Sequence, residues 1–138
     1  MFNTVRAAFS AVIFVCILVS FANADINDDV RSIRRVVSSI SYKLNNEFPT
    51  LEEMKCFGET LSEVGVSINR MQHVVKKYDN DKLNSDLKTV RTVISSCSYK
   101  LREETPKNLQ EQKKVAEHLN SIGTVLIRIQ NRLNRLSK

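Results

Sequence analysis

Val36-Val37-Ser38-Ser39-Ile40-Ser41-Tyr42-Lys43-Leu44, followed by Pro49, returns as Val93-Ile94-Ser95-Ser96-Cys97-Ser98-Tyr99-Lys100-Leu101, followed by Pro106. The offset is a constant 57, and 12 of the 24 positions in Ile26–Pro49 are identical in Leu83–Pro106. Beyond the prolines the echo continues with one residue inserted. Leu51, Glu53, Lys55, Glu59, Leu61, Gly65, Arg70 and Gln72 recur as Leu109, Glu111, Lys113, Glu117, Leu119, Gly123, Arg128 and Gln130. The chain is a tandem duplication, with one repeat over about 26–78 and a second over about 83–136.

Each repeat reads as two helices. In the first, Ile26, Val30, Ile33, Val37, Ile40 and Leu44 step by 4 and 3, which places them on one helical stripe. Phe48-Pro49-Thr50 stops that helix, because proline disfavours helical geometry in the residue before it. Thr50 and Glu53 then form a capping-box pattern that opens a second helix. Its stripe is Phe57, Leu61, Val64, Ile68, Met71, Val75 and Tyr78. The second repeat follows with Leu83, Leu87, Val90, Ile94, Cys97 and Leu101, then Val115, Leu119, Ile122, Leu126, Ile129, Leu133 and Leu136. Asp79-Asn80-Asp81-Lys82 is the polar connector, short enough to join antiparallel neighbours. No stretch alternates as a strand does. The expected fold is all-α, a four-helix bundle made of two tandemly repeated helical hairpins. Gly65 recurs as Gly123, which suggests close helix contact at both, whereas Gly58 is replaced by Ala116 and reads as a loosening of the first turns.

The first residues belong to a different class of segment. Arg6 precedes the apolar run Ala7–Phe21, and Ala22-Asn23-Ala24 matches a signal-peptidase site before polar Asp25. The expectation is a cleaved secretory leader over residues 1–24 and a single helical domain over 25–138. No second run is long and apolar enough to span a bilayer. Arg6 is the only charged residue before Asp25, so the mature chain carries 20 basic and 15 acidic residues, a formal charge of +5. That permits anionic partners without demanding nucleic acid. No N-x-S/T sequon occurs.

Cys56 and Cys97 remain after the leader is removed, one in each half. In an oxidising compartment the expectation is a Cys56–Cys97 disulfide tying the second helix to the third. Register argues for caution. A simple hairpin about residues 80–81 would set Cys97 level with about residue 64, some eight residues or about 12 Å from Cys56 at helical rise. The bridge then needs a shift or a bend, for which Gly58 offers a place, and pairing between two chains is the alternative. The chain is expected to be a monomer or a dimer.

Nothing in the sequence has catalytic spacing. His73 and His118 are not equivalent in the repeat and have no partners around them. There is no nucleophile elbow, zincin motif or phosphate loop, and two thiols with two scattered histidines have no metal-ligand spacing. No enzyme activity, cofactor or metal is expected. The serines at 38, 39 and 41, echoed at 95, 96 and 98, read as a small polar face that lets another helix approach. Tyr42-Lys43 and Tyr99-Lys100 read either as a pair of equivalent binding surfaces or, by preference, as rings covering the core edge with their hydroxyls in water. Arg128, Arg132 and Arg135 form a basic stripe on the last helix, extended by Lys138, and no acidic residue follows Glu117. Either they complement the helix dipole or they guide the protein onto an acidic protein or a polyanionic surface.

A secretory leader ending Ala22-Asn23-Ala24, four amphipathic helices and Cys56 with Cys97 together resemble the small helical salivary proteins of anopheline mosquitoes, the anophensin (hamadarin)/albicin-like group. The resemblance spans the whole chain and carries over no functional residue. It implies a secreted, non-enzymatic inhibitor of host plasma contact activation (factor XII and kallikrein) or of complement. The alternative, from a different class, is a helical-bundle carrier of a small apolar ligand. Regularly spaced Leu, Ile and Val favour a filled core and so favour the first reading.

Overall fold

In the computed structural model, which describes residues 26–136, the chain folds as an all-α four-helix bundle. Helix α1 is Ile26–Asn46 and α2 is Leu51–Val75, which tightens into a 3-10 turn over Lys76–Tyr78. Helix α3 is Asp81–Glu103. The fourth rod is split at Ile122 into α4, Leu109–Ser121, and α5, Gly123–Leu136.

The helix ends follow local chemistry. The Thr50 hydroxyl accepts from Glu53 N at 3.1 Å, and the Thr50 N–H donates to Glu53 Oε1 at 2.9 Å. This reciprocal cap satisfies two amides that a helix start leaves without partners. Asn80 and Asn108 cap α3 and α4 by accepting from Leu83 N and Glu111 N. Asp79 takes a left-handed conformation (φ 49°) and reverses the chain, so that only Asp79 and Asn80 separate the 3-10 turn from α3.

Every stripe residue read from the sequence faces the interior. Ile40, Leu44, Leu61, Ile68, Leu83, Ile94, Leu101, Leu119 and Ile129 are fully buried; only the terminal Ile26, Tyr78 and Leu136 are partly covered. Met54 and Met71 fill the same core. Burying a side chain of this size contributes roughly 1.5–3 kcal/mol, offset by the entropy of ordering it.

The packing partners are not those the repeat suggests. Helix α2 packs most extensively on α3, and α1 on the α4–α5 rod, while the α1–α2 contact within the first repeat is sparse. The sequence hairpins are therefore not the packing units. Two sets of matching hydrogen bonds explain why. Ser98 Oγ donates to the Gly58 carbonyl at 2.6 Å, and the hydroxyl of its repeat equivalent Ser41 is shared between the carbonyl of Ala116, the Gly58 equivalent, at 3.1 Å and Asn120 Oδ1 at 2.7 Å. Arg91 Nη1 donates to Gln72 Oε1 at 3.0 Å, and its equivalent Arg34 donates to Gln130 Oε1 at 2.7 Å. The first helix of each repeat thus docks on the second helix of the other. The serine face does admit a neighbouring helix, as expected, but that neighbour comes from the opposite half.

The glycines are a second correction. A Cβ on Gly58 would lie 2.5 Å from Arg102 Cγ, 3.0 Å from Ser98 O and 3.1 Å from Arg102 N. Gly58 is the point of close helix approach. A Cβ on Gly65 would meet only Ile94 Cγ2 at 3.9 Å, and one on Gly123 would meet nothing within 4 Å. Neither is a contact glycine, although both recur in the repeat.

Candidate functional site

The four rods run antiparallel in chain order, so one end of the bundle gathers the C-termini of α1 and α3 with the N-termini of α2 and α4. Most of the large apolar side chains held in water lie at that end. Phe48 is 79% exposed, Tyr42 61%, Leu51 54% and Tyr99 51%, with Leu109 at 38%. Phe48 and Leu51 are there because the Pro49 break and the Thr50 cap turn the chain sharply, leaving the flanking residues outside the core. Tyr42 and Tyr99 occupy equivalent positions near the ends of α1 and α3. Both rings stand out into solvent and cover less of the core edge than expected. Beside them Lys43 pairs with Glu47 at 2.7 Å. Several aromatic and aliphatic side chains at one end of a rigid bundle are a surface suited to docking: aromatic rings carry much of the energy in protein interfaces.

Two members of the basic stripe, Arg128 and Arg132, pair with a carboxylate of another helix. Asp86 of α3 lies between Arg128 Nη2, at 3.3 Å from Oδ1, and Arg132 Nε, at 3.8 Å from Oδ2. The Asp86 side chain is only 15% exposed, and Arg132 only 25%. Arg132 Nε and Asp86 Oδ2 have no hydrogen bond and are served by each other's charge alone. The clamp ties α3 to α5, which leaves Arg128 half-exposed and Arg135 as the member with no carboxylate in ion-pair range among the described residues. Lys138 lies outside the described residues, as does the expected leader. No local pattern shows that Asp86 reaches this stripe, because 42 residues separate it from Arg128.

Cys56 and Cys97 are both free thiols, so the expected bridge between them is absent. Gly65 faces Ile94 across the α2–α3 contact. Cys97 is therefore level with about residue 62, and Cys56 lies about 9 Å further along the helix at 1.5 Å per residue. A disulfide needs Cα atoms closer than about 7 Å. Gly58 instead serves the close approach of α3, whose Ser98 and Arg102 lie against it. Cys97 is 1% exposed in the core, and burial pushes its thiol up to about 11, partly opposed by the Lys100 charge. Cys56 is half-buried at the rim near Glu59 and Arg102.

His73 and His118 are exposed on separate helices. Among the described residues no group of three or more His, Cys, Asp or Glu could hold a metal ion, and no helix is long and apolar enough to cross a membrane. The sequence reading passed over Phe48 and Leu51 as parts of a helix break. The available signal was their size: a Phe beside a Pro in a short loop has little core to enter.

No family model, curated protein or solved structure matches the chain.

Proposed function

We propose that the protein is a secreted, non-enzymatic binding protein that acts by covering a surface on an extracellular host plasma protein. The observation that carries this reading is the apolar end of the bundle, with Phe48 79% exposed and Tyr42, Leu51 and Tyr99 each more than half exposed. Keeping these side chains in water gives up roughly 1.5–3 kcal/mol of burial for each large apolar group. A partner that covers them recovers that free energy, less the cost of association. The resemblance to anopheline salivary proteins supplies the class of target: a component of contact activation, such as factor XII or kallikrein, or of complement.

A carrier of a small apolar ligand is less well supported. The space between the helices is filled by Leu, Ile, Val, Phe and Met side chains at close to zero exposure, which leaves little room for cargo.

The test is inhibition of contact activation and of complement in plasma by the mature chain and by a Tyr42→Ser, Phe48→Ser, Tyr99→Ser variant. All three residues are exposed, so the helical signal should be unchanged. The expected result is inhibition of one pathway by the parent and at least a tenfold loss, about 1.4 kcal/mol, in the variant. Equal inhibition by both proteins would remove the end surface from the mechanism. Inhibition of neither pathway would overturn the assignment of target.

A further inference from the structure

Where the described surface carries ion pairs, they join Arg31 to Asp28, Lys43 to Glu47, and Arg128 and Arg132 to Asp86. Other arginines, Arg34 and Arg135 among them, have no carboxylate in ion-pair range among the described residues, and two such arginines, the half-buried Arg91 and Arg102, lie together on the α2–α3 pair. Arg91 Nη1 donates only to neutral acceptors, Asn69 Oδ1 at 3.1 Å and Gln72 Oε1 at 3.0 Å. Arg102 Nε donates to Ser98 Oγ at 3.2 Å. Neither has a carboxylate in ion-pair range among the described residues. Each guanidinium commits one nitrogen to these bonds and keeps further N–H donors. The Arg91 head is anchored by two side chains of the neighbouring helix, so little of its freedom remains to be lost on binding.

The two arginines are 11 residues apart, three helical turns, so they lie on one face about 16 Å from each other. Between them runs an open groove of about 200 Å³. Gly65, Leu61 and Val66 give it an apolar floor, and Ser62, Ser95 and Asn69 give it hydroxyl and amide groups. No acidic residue lines it; Glu59 and Glu63 line an adjoining depression that shares Ser62 and Arg102 with the groove, so the Arg91 half is the part farther from carboxylates.

The repeat supplies an internal comparison. The α1 pairing with α4–α5 keeps the same serine-to-carbonyl and arginine-to-glutamine bonds. It has Asn45 where α3 has Arg102, and Ile127 where α2 has Asn69. Packing the helices therefore does not require the second cation or the amide. The helix dipole accounts for a basic residue in the last turn of α3, where Arg102 sits, and Arg91 holds Gln72 as Arg34 holds Gln130, so what is peculiar to this helix pair is the second cation together with the Asn69 amide.

We propose that this groove binds a sulfated polysaccharide. Two cations about 16 Å apart on one helix face suit an extended chain with repeated anionic groups better than a single small anion. The planar guanidinium pairs bidentately with sulfate. Serine hydroxyls and the Asn69 amide suit sugar hydroxyls, and the Leu61–Gly65–Val66 floor suits the faces of sugar rings. An extended acidic peptide fits less well, because the backbone groups of both helices are used internally and offer it no main-chain partners. The groove reaches the apolar end only at Arg102, three residues from Tyr99, and the proposal does not rest on the function proposed for that end.

The experiment is titration of the mature chain with a heparin-derived octasaccharide, calorimetrically and at rising salt. Binding should weaken as salt increases. Arg91→Gln should reduce affinity by about tenfold or more. Gly65→Gln should do the same by filling the floor; its Cβ has room, so the fold is retained. Gly123→Gln, the equivalent change outside the groove, and the combined Arg128→Gln, Arg132→Gln, Arg135→Gln variant should both bind like the parent. Failure of the parent to bind at low salt would overturn the proposal. So would undiminished binding by Gly65→Gln, or loss of binding confined to the triple arginine variant.

Discussion

Gly58→Ala should destabilise the protein, while Gly65→Ala, seven residues along the same helix, should stabilise it. In a helix interior, alanine is favoured over glycine by up to about 1 kcal/mol, and that gain applies at both positions. The surroundings decide the sign. At Gly58 the added methyl would lie 2.5 Å from Arg102 Cγ and 3.0–3.1 Å from backbone atoms of Ser98 and Arg102. The Arg102 stem can turn aside, but the backbone of α3 can make room only by moving the helix. That would stretch the 2.6 Å Ser98–Gly58 hydrogen bond. Overpacking of this kind costs about 1–3 kcal/mol, so the net expectation is a loss near 1 kcal/mol. At Gly65 the nearest atom, Ile94 Cγ2, is 3.9 Å away, an ordinary contact, and the net expectation is a gain of about 0.5–1 kcal/mol. Urea unfolding followed by far-ultraviolet circular dichroism measures both. The midpoints should move in opposite directions with unchanged slope. If Gly58→Ala stabilises the protein as much as Gly65→Ala does, the close approach of α2 and α3 at Gly58 is wrong, and so is the register built on it.

Ser98→Ala and Ser41→Ala should each cost about 1 kcal/mol by removing a buried hydrogen bond between the halves, and the double variant should lose the sum because the sites lie in different helix pairs; a neutral result at either site would break the equivalence of the two contacts. Cys97 is raised from 9.0 to about 11 by burial, so the stability contributed by its neutral thiol is fully present below pH 9 and is lost as pH rises through 11. Unfolding measured across that window should show a decline that Cys97→Ala reduces, and an identical slope in both proteins would count against it. In the native protein at neutral pH, a thiol reagent should modify Cys56 well before Cys97.

The sequence alone determined the four helices, their inward faces and their ends. These depend on spacing of 3 and 4 residues and on caps within one turn, all local quantities. Thr50 with Glu53 is legible because both partners of the cap lie three residues apart. The duplication was legible too, but it does not say which helices pair. Ser41 and Ser98 look alike in sequence whether they face their own repeat or the other, and only the assembled bundle places them on Ala116 and Gly58. The roles of the glycines were hidden for the same reason. What excludes a side chain at Gly58 is the backbone of α3, some 40 residues away, whereas the recurrence of Gly65 and Gly123 carries no information about a neighbour. Register decided the thiols, since Cys56 and Cys97 sit in facing helices at different heights. Asp86 reaches two members of the arginine stripe, Arg128 and Arg132, from α3. In each case the tertiary structure settled a question of distance between segments far apart in the chain, which no local pattern encodes.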